Sequence, residues 1–502
     1  MLKYTGHPLV DVGAATILAY GRKKNLSMLT ESDLNKIADF ISKEYVINPL
    51  KSFLTVAFPN SGFTQPAFEN KPEKRDNYAK RVTRAFNADL PVLKEKCIFT
   101  GDPATSVAFS DKDNYPMGRV FRQHMPLLLG EDQINFFSGG HSGLPISGTA
   151  MLCIQAMPLG CAKCGGKLLA VHSDNEEIME KFAKEFLERN IDAISLAHQN
   201  NNSKLPESGP AKTVLVKTLL HADEERFIAE KEHQPASLTA YHFSNSGQSN
   251  ALDARNPPLE IYHLPMEIMD FLWSINNPEY KIKWEAVINR AWQLSQPKKR
   301  SKKTVDSKDD KRQPRNYLYE DLFRLPHEAH RFIRSYLLRI PKKNTSSDDP
   351  RRVYSLKDDA DLVSWNLTEL FLDKVMHMKE SRISRIREIG DQLADYVNEE
   401  NDKRFFSKFY GENRYDVIRN ALIQVNRSRL KQDKAPIIRF EPFIEVFEEP
   451  DERGRSNWRL ARDLVLIRMI ERLYDLKWIE KHKEDLPDSS DNSAENESDS
   501  NQ

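Results

Sequence analysis

The chain has 502 residues, of which 39% are hydrophobic and 29% charged, and its formal net charge is zero. This length favours two or three domains, and because no run of about 18 apolar residues occurs, a membrane-spanning helix is excluded. Residues 481–502 hold seven acidic residues against two lysines, so residues 1–480 carry a net charge of +5 and leave room for basic surfaces. Pro8 and Asp11 interrupt the first apolar stretch, which makes a poor signal peptide, and we expect a cytoplasmic protein.

Residues 1–96 are predicted to form an N-terminal α/β segment. Thr30 to Asp33 are typical of a helix N-terminus, and apolar residues follow at helical spacing up to Ile41. The run LKSFLTVAF at 50–58 predicts a buried strand that ends at Pro59, and residues 76–86 predict a basic helix.

Residues 97–175 contain all four cysteines and most of the clustered glycines. Cys161 and Cys164 stand three residues apart on a turn closed by two glycines, which matches half of a zinc knuckle. Cys97 is the third metal-ligand candidate, but Thr100 stands where the second cysteine of its own CxxC would fall. The candidates for a fourth ligand are His124, His141 and His172. Two alternatives remain open: a pair of buried structural cysteines, and a redox CxxC for which the required βαβ frame is missing.

Residues 176–341 are interpreted as the remainder of the N-terminal domain. At their start an amphipathic helix is predicted over 175–190. The segments 213–220 and 238–247 predict strands, and 266–294 predicts one or two helices.

The end of the second of these strands carries side chains suited to reading DNA bases. Asn and Gln present a donor and an acceptor together, as base edges require, and an aromatic ring can wedge into a base step. The alternative is an ordinary polar hairpin turn. The candidate DNA-binding residues here are Phe243, Asn245, Gln248 and Asn250.

A basic segment at 297–315 has almost no hydrophobic side chains, so we expect it to remain a mobile loop. Its candidate DNA-binding residues are Lys298, Lys299, Arg300, Lys302 and Lys303.

After a polar linker at 342–352, the pattern becomes helical. Four amphipathic segments predict an all-α bundle over 353–480, and the acidic tail 481–502 is expected to be disordered. Arg459 and Arg462 lie in the last of these segments and are candidates for contact with a phosphate backbone. The predicted fold class is therefore α+β: a large mixed N-terminal region with a zinc-knuckle-like insertion, followed by a helical bundle. No arrangement of serine, histidine and acidic residues predicts an active site, so we expect a protein that is not an enzyme.

Several strings in this sequence resemble one known family. They are LPISG and PLGCAKCGG followed by VHSD within 139–175, CIFTG at 97–101, RQHMPLL at 122–128 and YHFSNSGQ at 241–248. The chain is similar to the CXXC–CXXC family of CRISPR-associated proteins, the large subunit of type I-B Cascade complexes. The resemblance is tightest over about 97–265. Thr100 departs from the family's pattern and leaves its zinc site incomplete.

The resemblance implies a DNA-binding and RNA-associated function without catalysis. The large subunit of the family sits in a ribonucleoprotein complex on CRISPR RNA, with backbone and small subunits, and recognises the protospacer-adjacent motif (PAM) in double-stranded DNA. It promotes duplex opening and stabilises the displaced strand of the R-loop, while a recruited helicase-nuclease cleaves the DNA as part of antiviral defence. Two alternatives stay open: a scaffold subunit that does not contact DNA, and a stand-alone zinc-binding enzyme.

Overall fold

The computed structural model describes residues 2–110, 115–128, 142–244, 256–295, 313–412, 414–448 and 457–486. The chain divides into two compact units. Unit 1 comprises Met1–Met269 with Lys311–Gln313, and unit 2 comprises Asp270–Asp310 with Pro314–Gln502. The polar linker predicted as a domain boundary at 342–352 therefore lies within unit 2. The predicted α+β class with a helical C-terminal region is confirmed.

Unit 1 combines helices with short antiparallel strands. Its helices are α1 (Pro8–Gly21), α2 (Glu31–Glu44), α3 (Leu50–Leu54), α4 (Pro72–Thr83), α5 (Gly148–Ala156), α6 (Glu176–Gln199) and α7 (Ala211–Ile228). Its strands are β1 (Val92–Lys96), β2 (Pro103–Thr105), β3 (Arg119–Val120), β4 (Leu144–Pro145), β5 (Ala162–Cys164), β6 (Lys167–Ser173), β7 (Leu238–Phe243) and β8 (Leu259–Leu264). Helix α8 (Met266–Ser274) spans the division between the units.

The largest sheet of the described residues is a four-stranded antiparallel meander in the order β5-β6-β7-β8. Leu169 pairs with His242, which in turn pairs with Glu260, so side chains from neighbouring strands line up on one face. Strands β1 and β2 form a separate pair, and so do β3 and β4.

Helix α1 is buried over most of its length, because its residues are apolar on nearly every side. It packs against α5, α6 and β6. Gly13 permits the close approach to α5: a Cβ atom there would lie 1.9 Å from the backbone oxygen of Cys153. This helix is the centre around which the core of unit 1 forms.

Unit 2 is helical in its described residues. Its helices are α9 (Pro278–Asn289), α10 (Tyr317–Leu322), α11 (Ala329–Phe332), α12 (Leu356–Asp359), α13 (Trp365–Lys374), α14 (Glu380–Glu400), α15 (Lys403–Gly411), α16 (Tyr415–Leu430), α17 (Phe440–Phe447), α18 (Trp458–Asp475) and α19 (Trp478–Lys481). A π-helical turn at Ile333–Leu337 continues α11. The long helices α14 and α18 pack along each other, and Gly390 of α14 lies against the side chain of Arg468.

Two predicted strands are helices, and both predictions were wrong for the same reason. The run at 50–58 contains α3, and 213–220 lies within α7. A short, mostly apolar run fits either a buried strand or a buried helix, so its periodicity alone does not distinguish the two. In α7 the residues after the run, from Ala222 to Arg226, include good helix formers that extend the helix beyond the apolar segment.

Among the helices that the structure describes, none is both long enough and apolar enough to cross a lipid bilayer.

Candidate functional site

The CxxC turn forms the β5–β6 hairpin, at one edge of the four-stranded sheet. Gly165 and Gly166 have φ angles of +56° and +77°, the left-handed region that a tight turn requires and that glycine adopts without strain. Residues 159–161, which precede the turn, are hydrogen-bonded to α6: the Asn190 amide donates to the backbone oxygens of Leu159 (2.8 Å) and Cys161 (2.9 Å). The turn is thus held rigidly on the core.

Both thiols of the CxxC turn are buried inside the protein. The Cys161 Sγ donates to the backbone oxygen of Met157 at 3.2 Å. Burial raises the pKa of Cys161, and it raises the pKa of Cys164 to about 12. A raised thiol pKa favours the protonated form.

Cys97 begins a separate turn after β1. Its backbone N–H donates to the backbone oxygen of Asp102 at 2.8 Å, and the Thr100 hydroxyl accepts from the backbone N–H of Asp102 at 3.2 Å. Thr100 also lies 3.3 Å from the Ser147 hydroxyl, which caps α5. Threonine therefore has a local hydrogen-bonding role at the position where the family pattern would place a cysteine.

A zinc site needs about four ligands that converge. Within the described part of the chain, no group of three or more His, Cys, Asp or Glu side chains is placed to hold a metal ion. His172 instead approaches Asp11, with Nε2 3.3 Å from Oδ2, and His141 lies outside the described residues. Among the described residues, the CxxC turn offers the two thiols of Cys161 and Cys164 and no third ligand beside them. Zinc binding stays a prediction.

The end of β7 is anchored by a partly buried polar cluster that the sequence did not reveal. His242 Nε2 donates to the backbone oxygen of Cys164 at 2.9 Å, and Nδ1 lies 3.2 Å from the Tyr262 hydroxyl and 3.1 Å from Glu260. Lys167 Nζ donates to the Pro257 oxygen at 2.6 Å and to Glu260 at 3.3 Å. We call His242, Glu260, Tyr262 and Lys167 the stem cluster.

The charges in the stem cluster act on one another. Burial lowers the pKa of His242, which favours the neutral ring even beside Glu260. Burial alone would raise the pKa of Glu260, but the charge of Lys167 and its hydrogen bond hold it below its ordinary value. The cluster therefore contains a neutral imidazole and a lysine–carboxylate pair.

The stem cluster lies next to the described residues that flank 245–255. Phe243 is fully buried, and the Ser244 N–H donates to the Pro258 oxygen at 2.9 Å. The buried ring of Phe243 packs in the core of unit 1, so a wedge role would require it to leave that core. Asn245, Gln248 and Asn250 lie outside the described residues, as do Lys298, Lys299, Arg300, Lys302 and Lys303.

Arg459 and Arg462, the two candidates in α18, have different surroundings. Arg459 is exposed, with its guanidinium 5.6 Å from the centre of the Trp458 ring. Arg462 is only 2% exposed and contacts Asp463 Oδ1 through Nε (3.0 Å) and Nη2 (2.7 Å). Its charge is paired inside the protein, which does not favour the phosphate contact predicted for Arg462.

Asp463 also organises two side chains from outside α18. His330 Nε2 lies 2.7 Å from Asp463 Oδ2, and Arg334 Nη1 lies 3.0 Å from the same oxygen. His330 and Asp463 are 133 residues apart in the chain, so their spacing does not mark them as partners. Only the packing of α11 and its π-helical continuation against α18 brings them together.

Comparison with known proteins gave no match to any family model, to any curated protein or to any solved structure.

Proposed function

We propose that this chain is a subunit of an RNA-guided interference complex that reads a short motif in double-stranded DNA through residues 245–255. The proposal starts from the sequence strings that resemble the CXXC–CXXC family, of which PLGCAKCGG and YHFSNSGQ are the most specific. In this chain those two strings are neighbours in space, because His242 is hydrogen-bonded to Cys164.

The observation that carries the proposal is the hydrogen bonding of the stem cluster and of the residues that flank 245–255. A segment that reads base edges must be presented from a rigid support, since base discrimination depends on bidentate geometry. The residues on both sides of 245–255 are hydrogen-bonded to such a support. The Ser244 N–H donates to the backbone oxygen of Pro258, and Lys167 donates to the backbone oxygen of Pro257. Asn245, Gln248 and Asn250 within the segment have the amide groups that pair with bases.

The assigned role is binding and not catalysis. In such complexes base pairing with the guide RNA supplies most of the sequence specificity, and protein reads only the adjacent motif. Backbone and small subunits, CRISPR RNA and a recruited helicase-nuclease are the partners that this role implies. If zinc binds, the predicted ligands are Cys97, Cys161 and Cys164.

The test is a double substitution, Asn245→Ala with Gln248→Ala, in the complex reconstituted with guide RNA. Each base-edge contact is worth about 1–3 kcal/mol, so affinity for motif-bearing duplex should fall at least tenfold, with little change for motif-free duplex. The matched control is Gln199→Ala with Asn202→Ala, two exposed amides of the same unit. Equal weakening on both duplexes would reject motif reading, and no change on either would favour a scaffold subunit.

A further inference from the structure

The two edges of the four-stranded sheet differ in their hydrogen bonding. At the β5 edge, the backbone oxygen of Lys163 accepts from the Ser208 N–H at 2.7 Å, and the Lys163 side chain donates to the Leu205 oxygen at 3.0 Å. Strand β8 forms the opposite edge, and β7 is the one described strand that pairs with it. The β5 edge is therefore covered by the chain itself, and the β8 edge is open within the described residues.

The register of β8 shows which of its backbone groups point away from β7. The Ser244 N–H donates to the Pro258 oxygen at 2.9 Å, and the pairing continues from there without a shift to the end of β8. Hydrogen-bonded and non-bonded residue pairs alternate along an antiparallel ladder, so every second residue of β8 directs its N–H and C=O outward. These residues are Leu259, Ile261 and His263, and no described residue is hydrogen-bonded to their outward groups.

Strand β8 also lacks the features that usually protect an edge strand from pairing. Protected edges carry lysine, proline or a bulge. The sequence of β8, LEIYHL, has neither residue type, and its pairing with β7 is regular. Its one acidic residue, Glu260, is held by Lys167 at 3.3 Å, and Ile261 in the middle of the strand is 57% exposed. An apolar side chain at the centre of an open edge favours the addition of another strand.

The sequence of β8 is complementary to itself. In an antiparallel pair of two copies with Ile261 opposite Ile261, Leu259 lies opposite His263 and Glu260 lies opposite Tyr262. This register places two isoleucines together at the centre and brings no like charges face to face. It also makes the outward residues hydrogen-bonded pairs, which exchange two hydrogen bonds each. The formal net charge of the chain is zero, so two copies do not repel each other overall.

We propose that two copies of this chain associate through their β8 strands, which pair antiparallel about a two-fold axis at Ile261. The two four-stranded sheets then form one continuous sheet. Because the same edge is used by both copies and the β5 edge is covered, the assembly closes as a dimer. The proposal uses no residue of 245–255 and does not rest on the proposed reading of DNA, so either can fail without the other.

The experiment is sedimentation velocity of the full chain over a range of protein concentrations. The unmodified chain should show a concentration-dependent equilibrium between monomer and dimer. Ile261→Lys should raise the dissociation constant of the dimer at least about tenfold, because it replaces the central apolar pair by two like charges. The matched control is Ile228→Lys, which adds the same charge at a position of α7 that is 72% exposed, and it should leave the dissociation constant unchanged.

Ile261→Pro tests the backbone contribution. The Ile261 N–H points away from β7, so proline removes an outward donor without removing a hydrogen bond to β7. The dissociation constant should again rise at least about tenfold, with an unchanged circular dichroism spectrum. If Ile261→Pro does not fold, Ile261→Lys carries the test, because its side chain replaces an exposed one.

A mixture of Ile261→Lys and Ile261→Glu tests the register. Each variant alone should be mainly monomeric, and the mixture should form a heterodimer, because opposite charges then meet at the axis. A chain that stays monomeric at every concentration would overturn the proposal. A dimer that persists in both Ile261→Lys and Ile261→Pro, an equal loss in Ile228→Lys, or a mixture that stays monomeric would overturn it as well.

Discussion

His242 Nε2 lies 2.9 Å from the backbone oxygen of Cys164 and joins β7 directly to the CxxC turn. The oxygen can only accept, so the ring donates from Nε2, and its Nδ1 lies near both the Tyr262 hydroxyl and the Glu260 carboxylate. Two features that are 78 residues apart in the sequence are therefore parts of one structure. A substitution in the CxxC turn should therefore change the stability of the end of β7, and a substitution at the end of β7 should change the stability of the CxxC turn.

His242→Ala should loosen the sheet locally. It leaves the Cys164 oxygen and the Tyr262 hydroxyl without their partner inside the protein, at a cost of about 1–3 kcal/mol. Hydrogen exchange of peptides covering β6 and β7 measures the local opening free energy. His263→Ala, at an exposed position of β8, is the control and should change it by less than about 0.5 kcal/mol. Similar losses in both variants would mean that His242 has no special role.

The same histidine predicts a pH dependence. Its pKa is lowered in the folded chain by burial, so the unfolded chain takes up the proton at higher pH. The contribution of His242 to stability is therefore complete above its unfolded pKa of about 6.5 and declines as the pH falls toward the folded value. The opening free energy of β6 and β7 should decrease from pH 7.5 to pH 5.5. His242→Gln should flatten this decrease, and an unchanged pH profile would contradict the assignment.

Asp463→Asn should destabilise unit 2 strongly. Burial alone would raise the pKa of Asp463, but His330, Arg334 and Arg462 hold it well below its ordinary value, so the carboxylate is ionised at neutral pH. Removing its charge leaves Arg462 buried without an anion, at a cost of about 3–5 kcal/mol. The midpoint of urea denaturation followed by circular dichroism measures the change.

The control for Asp463 is Asp395→Asn, which breaks the exposed pair with Arg472 and should cost less than about 1 kcal/mol. Because the pKa of Asp463 is depressed, its contribution is present above the unfolded pKa of about 3.9 and is lost as the pH falls through the folded value. If Asp463→Asn unfolds no more easily than Asp395→Asn, the three cations do not depend on this carboxylate.

Gly13→Ala tests the close packing at the centre of unit 1. A Cβ atom there would lie 1.9 Å from the Cys153 oxygen, so α1 and α5 would have to move apart, at a cost of about 1–3 kcal/mol. Gly21→Ala is the control on the same helix, where the nearest neighbour of a Cβ atom is a movable leucine side chain at 3.0 Å. Thermal denaturation of both variants should show a lower Tm for Gly13→Ala, and equal Tm values would contradict this packing.

Local patterns in the sequence predicted local structure well. The helix start at Thr30 is confirmed in detail, because the Thr30 hydroxyl accepts from the Asp33 N–H and Asp33 accepts from the Thr30 N–H. The long helix after residue 175 is also confirmed, with Asn175 as its cap. These features depend on residues within one or two helical turns, so the sequence carries their physical cause.

Features formed by distant residues could not be predicted in this way. Asp463 meets His330 across 133 residues, and Lys167 meets Glu260 across 93. Nothing in the spacing of these residues marks them as partners, since the packing of whole elements brings them together. The apolar run at 213–220 shows the other limit: a short, mostly apolar run lacks a clear periodicity that distinguishes a helix from a strand.

The basic segment gives a prediction about DNA affinity that does not depend on its conformation. If Lys298, Lys299, Arg300, Lys302 and Lys303 contact phosphates of duplex DNA, each contact contributes about 0.9 to the slope of log affinity against log salt. Replacing all five by glutamine should reduce the slope of the reconstituted complex by up to about 4.5. The control variant replaces five exposed lysines of unit 1 by glutamine, and its net charge equals that of the test variant. These lysines are Lys24, Lys43, Lys74, Lys184 and Lys204. Because both variants lose five charges, a general electrostatic effect would change the two slopes equally and exclude a duplex-binding role for this segment.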